Sequence, residues 1–216
     1  MTQASEARLV AAVRRGDPAA LADLLSRYQH RLYNVCLRMV GNRDDAAEVA
    51  QDTMLKVIEH IGDYNGKSAI STWMIRIAMN LSISFLRKRK LRQTVSLNGT
   101  HGESSHAPAF DAVVLDSRIR DTREPAPDQG VEKEEMLERL REALDRLDED
   151  FRAVLVLRDL NEMDYSQIAE VLAIPVGTVK SRLFRARVML RQEMCRLYPS
   201  ERPESPLTAR RVERGT

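Results

Sequence analysis

The side chains best placed for chemistry in this sequence lie between Thr178 and Arg187, and the chemistry they suit is recognition of a polyanion. At about 100° per residue, Val176, Val179, Leu183, Ala186 and Leu190 fall in one stripe, so a helix here must bury that face. Ser181, Phe184 and Arg185 then point the opposite way, with Thr178, Lys180, Arg182 and Arg187 on the flanks. No acidic residue occurs between Glu170 and Glu193. Such a helix has the width to lie in the major groove of DNA. There arginine and lysine reach guanine edges or phosphates, and an aromatic ring touches a thymine methyl. The plainer alternative is a solvated basic helix in an ordinary bundle, since charge runs are usually wet faces.

Two further groups of residues invite a role. From Tyr64 to Gly102 there is no acid, whereas Lys67, Arg76, Arg87, Lys88, Arg89, Lys90 and Arg92 all occur there. A helix expected from Thr72 to about Arg89 is apolar over most of its circumference but keeps one narrow polar strip of Arg76, Asn80 and Arg87, with Ser84 beside it. That pattern describes a core element presenting a few chosen groups, in which Trp73 reads as a packing residue. The third group is acidic: Asp44, Asp45, Glu48, Gln51 and Asp52 lie on one face of a helix expected from Asp44 to about Ile61. Acids in a first turn stabilise any helix through its dipole, which accounts for Asp44 and Asp45. Glu48 and Asp52 extend the face further and point to a protein partner of basic character.

The elements that must position these groups are helical. Asp164, followed three residues later by Gln167, has capping-box spacing, and Ile168, Ala169 and Leu172 give the helix it starts one apolar face. Pro175 disfavours helical geometry at Ile174 and can begin the next helix, so the pair reads as a helix-turn-helix. Upstream, Ser5 to Arg15 is amphipathic, Asp17-Pro18 starts a helix whose stripe runs to about Val40, and Gly41-Asn42 ends it. Ala47, Ala50, Met54, Val57, Ile58 and Ile61 are expected to face inward on the helix after it. Periodicity fades from Gln93 to about Gly130, which reads as a flexible tether, and returns at Glu132, with Asp148 a candidate cap for the helix carrying Phe151, Val154 and Leu157. The tail after Tyr198, with its three prolines, reads as disordered.

Composition narrows the class. Lys and Arg total 34 against 32 for Asp and Glu, and the near-neutral sum of +2 conceals two separate basic surfaces. The two cysteines, Cys36 and Cys195, suggest neither a metal site nor a disulfide framework, and His101 and His106 lack partner ligands. No signal peptide and no membrane-spanning run is apparent, so a reduced, cytoplasmic protein without metal or cofactor is expected.

Three segments carry a resemblance. DDAAEVAQDTMLKV, KSAISTWMIRIAMN and YSQIAEVLAIPVGTVKSRLFRAR resemble regions 2.2, 2.3 to 2.4 and 4.2 of the small sigma factors of the sigma-70 family, the extracytoplasmic-function group. The likeness covers nearly all of residues 5–92 and 132–197. It implies an all-α chain of two small helical domains: region 2 at 1–92, a linker at 93–131, a region 4 helix-turn-helix at 132–197, and a disordered tail at 198–216. It further implies an initiation subunit of bacterial RNA polymerase, with core polymerase and promoter DNA as partners, room for an anti-sigma factor, and no membrane contact. On matching positions, Asp44, Asp45, Glu48, Gln51 and Asp52 would bind the core. Tyr64, Lys67, Ser68, Arg76, Asn80, Arg87 and Lys88 would serve the minus-ten element, the loop from Tyr64 to Ser71 holding a flipped base with Arg76 and Asn80 beside it. Thr178, Lys180, Ser181, Arg182, Phe184, Arg185 and Arg187 would serve the minus-thirty-five element.

The sequence departs from the family pattern at Ile70 (usually Phe), Met74 (commonly Leu), Ser84 (frequently an acid) and Glu162 (near a frequent Gly). Two other readings compete. A stand-alone DNA-binding regulator would need a dimer seam or effector pocket, and a recombinase would need an acidic metal cluster or a nucleophilic serine on an α/β domain. The sequence suggests none of these.

Overall fold

Asp17 does what its place before Pro18 requires: its carboxylate accepts from the amides of Ala19 and Ala20 and so satisfies two of the helix's orphan donors. The computed structural model describes residues 3–98 and 127–199, and every regular element among them is a helix. In chain order these are α1 (Gln3–Arg14), α2 (Pro18–Val40), α3 (Arg43–His60), α4 (Ile70–Asn98), α5 (Pro127–Asp145), α6 (Glu149–Leu155), α7 (Tyr165–Leu172) and α8 (Val176–Leu197). None of them is long and apolar enough to cross a membrane.

The turn between α2 and α3 is two residues long. Gly41 takes the left-handed conformation, φ 79°, which lets its amide reach Leu37 O at 2.9 Å. Asn42 then caps α3, accepting from the amides of Asp44 and Asp45. The inward face of α3 differs from expectation by about one position. Ala46, Val49, Ala50, Thr53 and Val57 are buried, whereas Ala47 and Ile58 are exposed and Met54 is half-buried. The reason is Thr53, whose hydroxyl donates to Val49 O at 2.7 Å and can therefore go inside. A face judged from apolar residues alone misses it, and the rotation leaves Leu55 on the surface at 51% exposure.

α4 is longer than expected at both ends, and the basic run from Arg87 to Arg92 is helical. The tether expected over 93–131 is likewise helical at 93–98 and 127–131, while residues 99–126 and the tail from 200 lie outside the described residues. Asp148 makes no capping bond; its carboxylate lies 3.8 Å from Lys90 Nζ instead. After α6 the helix widens over Val156–Leu160, where the Asn161 amide reaches back five residues to Val156 O at 3.1 Å. Asp164 and Gln167 form both bonds of the capping box. α7 stops one residue earlier than Pro175 alone would dictate, because Ala173 turns left-handed with φ 52°.

In the first unit α2 packs on α3 and α4, α3 packs on α4, and α1 lies on α2; in the second, α5, α6 and α7 all pack on α8. The units also touch, α2 against α5 and α6, and α4 against α6 and α7, so the buried apolar residues form one continuous cluster.

Candidate nucleic-acid interface

α8 is held by the stripe the sequence marks out: Val179, Leu183 and Ala186 are buried and Leu190 half-buried, while Val176 at the first position stays exposed. Burying that face turns the opposite one to solvent. Phe184 is 72% exposed, and Lys180, Ser181 and Arg185 are exposed beside it. Leaving a phenylalanine exposed to this degree forgoes the hydrophobic free energy that its burial would supply.

The flanking residues are tethered. Arg187 donates to both carboxylate oxygens of Asp159, at 3.2 and 2.5 Å, and Arg182 Nη2 lies 2.9 Å from Asp150 Oδ2. Lys180 and Arg158 sit over the Tyr165 ring at 5.9 and 5.1 Å. Thr178 is half-buried, and its carbonyl accepts from Ser181 Oγ at 3.1 Å. Asp159 and Tyr165 were not legible as positioning residues, since nothing in their spacing points to the widened turn that brings Asp159 to α8.

The region 2 residues divide between two grooves. Tyr64, Lys67 and Ser68 line one of about 490 Å³ with Glu6, Val10 and Arg14 of α1. The Tyr64 hydroxyl closes its loop by donating to Ser68 O at 2.6 Å, and its ring leans on Trp73 with centroids 5.6 Å apart. Trp73 is thus the packing residue its pattern implies. Arg14 anchors the groove's edge through a 2.7 Å bond to Gly62 O.

Asn80 is not among the residues lining that groove. It is exposed, with Ser84 and Arg87, in a second groove of about 350 Å³ whose far wall is Asp150, Leu172 and Arg182 of the other unit. Arg76 is half-buried, lines neither groove, and Lys88 is exposed.

On α3, Asp44, Glu48, Gln51 and Asp52 are exposed, while Asp45 is half-buried and paired with Arg89 at 3.1 Å. Leu55 stands one turn beyond Gln51 and Asp52, and Ile58 is 40% exposed; both extend the acidic face with apolar surface that the one-position rotation conceals from sequence reading.

The structure is thus a two-module helical protein with an exposed, acid-free outer face on α8 and a separate acidic face on α3. Sigma-70 region 2 matches residues 24–92, and Sigma-70, region 4 matches residues 137–190. The chain is 33% identical over 189 residues to the RNA polymerase sigma-H factor of Pseudomonas aeruginosa, spanning 87% of this chain and 92% of that one. It is 32% identical to the ECF RNA polymerase sigma factor SigW of Bacillus subtilis over 84% of this chain and 92% of that one. The fold is similar to that of a Bartonella quintana sigma factor, RpoE, solved with the anti-sigma factor NepR, with a TM-score of 0.58, 22% identity, and coverage of 84% of this chain and 98% of that one. The chain belongs to the sigma-70 family of RNA polymerase sigma factors, within the extracytoplasmic-function group.

Proposed function

We propose that the exposed outer face of α8 reads the minus-thirty-five duplex, that the Tyr64–Ser68 groove and the Asn80–Arg87 strip bind the unpaired minus-ten strand, and that the α3 face docks on core polymerase. The observation that carries this is the exposed, acid-free surface of Lys180, Ser181, Phe184 and Arg185 on a helix whose other side buries Val179, Leu183 and Ala186. Phosphate contacts from the flanks would set its register, and Arg185 with Phe184 would read base edges. Promoter melting needs no catalytic group on this reading. The protein would bind the unpaired strand better than the duplex, and that difference alone shifts the equilibrium toward the open form. Nucleotide chemistry would stay with the polymerase, so the chain is not itself an enzyme, and it would work in the cytoplasm. An anti-sigma factor belongs to the proposal as a sequestering partner of the kind the Bartonella protein has.

Run-off transcription with core enzyme and genomic DNA tests the reading. Transcripts that require this chain and begin at shared upstream elements are expected. Tight operator binding by the free chain with no chain-dependent transcript would point to a stand-alone regulator instead.

A further inference from the structure

The groove beside Tyr64 has a wall that its own loop does not make. α1 supplies Glu6, Ala7, Val10, Ala11 and Arg14, facing the loop across a space of about 490 Å³, the size of a site for a small organic group. α1 ends at Arg14, well before the segment 24–92 that matches Sigma-70 region 2, so that match does not account for these side chains.

Glu6 is the one acid among the residues lining the groove. An acid in the first turn of a helix is favoured by the dipole wherever it points. The dipole does not explain the tie that Glu6 makes to another element: the hydroxyl of Tyr28, on α2, donates to its Oε1. Tyr28 is half-buried, and burial first, then the bond to Glu6, pushes its pKa up, so the phenol stays a donor at any working pH. The carboxylate is thereby held in one place with Oε1 occupied, and among the described residues its Oε2 has no hydrogen-bond partner.

The rest of the groove is fixed as well. Arg14 gives one N–H to Gly62 O at 2.7 Å, which leaves its other donors for a ligand. Tyr64 is clamped between its bond to Ser68 O and the Trp73 ring, and the Lys67 amide donates to Asn65 Oδ1 at 3.0 Å, folding the loop tip back on itself.

A base taken out of its stack is read along its pairing edge and by contact with aromatic and apolar side chains. A carboxylate only accepts, so it takes the exocyclic amine of cytosine or adenine and is repelled by the carbonyl that thymine and guanine carry at the equivalent position. Guanine can answer with its N1–H and N2–H together, but that pairing needs both carboxylate oxygens, and Tyr28 holds one.

We infer that Glu6, positioned by Tyr28, selects an amino-bearing base, cytosine or adenine, over thymine and guanine in the Tyr64–Ser68 groove. The inference rests on the reading of that groove as the site of an unpaired base. Arg14, about 12 Å along α1 from Glu6, then serves the phosphate of the same strand.

The test uses holoenzyme, core polymerase with the full chain, and a library of random-sequence single-stranded DNA from which bound molecules are sequenced. Sequences enriched on holoenzyme but not on core alone should share one position where cytosine and adenine exceed thymine and guanine by at least about fivefold. Glu6→Gln, whose amide also donates, should bring that ratio below about twofold and leave the other positions unchanged. Tyr28→Phe should admit guanine at that position while still excluding thymine, an effect that loosened packing alone does not produce. It also decides the matter if Glu6→Gln fails to fold by circular dichroism. A base profile that both variants leave unaltered, a loss spread evenly over all positions, or a wild-type preference for thymine or guanine overturns the role of Glu6. No enrichment on wild-type holoenzyme over core alone overturns the reading of the groove itself.

Discussion

Arg185 and Glu162 show how differently a single residue can matter. Arg185 is exposed on α8, and among the described residues no hydrogen bond or ion pair holds it. Arg185→Ala should weaken promoter binding by about 1 to 3 kcal/mol if the side chain reads a base, measured as the loss on the preferred upstream element relative to scrambled duplex. A uniform loss on all duplexes, with the salt slope reduced by about one, would make it a phosphate contact instead. Glu162 matters for strain. It sits at φ 57°, a conformation that a side chain with a Cβ adopts at a cost of about 1 kcal/mol. Glu162→Gly should therefore raise stability by about 0.5 to 1 kcal/mol and the melting temperature by roughly 1 to 4 °C in calorimetry. The departure from the family's frequent glycine near this position thus has a physical consequence. At Cys36, by contrast, burial pushes the thiol to about 11, which leaves it a core residue with little reactivity.

At the level of single helices, α3 carries the plainest test. Glu48→Lys with Asp52→Lys should abolish most co-purification with core polymerase while leaving the melting transition within about 0.5 kcal/mol, since both side chains are exposed and lie beyond the first turn. Co-purification at the wild-type level would remove α3 as the docking face. Much of the helix-level structure was legible beforehand, because it depends on local rules: Asp17 caps, Gly41 and Asn42 end α2, Asp164 and Gln167 pair, and α8 buries a regular stripe. The inward face of α3 was not, because a threonine that satisfies its own hydroxyl can enter a core without an apolar signature. The helical ends of the tether escaped because 93–98 and 127–131 are short stretches in which Gln, Thr, Ser, Asn, Pro and Gly leave too few apolar residues to mark a period, and yet they remain helical in α4 and α5.

The packing of one module on the other was illegible altogether, since it depends on carbonyl groups at the end of α2, which Arg141 and Arg152 reach, and on the missing side chain of Gly41, neither of which has a sequence period. It does have a titration. The Glu149 carboxyl lies below its ordinary value of 4.5, first through its own backbone amide and then, against burial, through Arg87 with Lys90 nearby. A depressed carboxyl contributes stability that is complete above its unfolded value and lost as pH falls through its folded value. The stability difference between wild type and Glu149→Gln, expected to be under about 1 kcal/mol for a pair with one exposed partner, should therefore be constant above pH 4.5 and vanish on further acidification in denaturant melts.

The wide turn at Val156–Leu160 also reaches beyond its own residues. It accommodates one residue more than a regular helix would, and that surplus sets where Asp159 stands against α8. Deleting a single amino acid there would relax the coil to ordinary pitch and remove the bulge that brings Asp159 to α8. Asp159 would part from Arg187, and α8 would lose that flanking tether while every one of its own side chains remained intact.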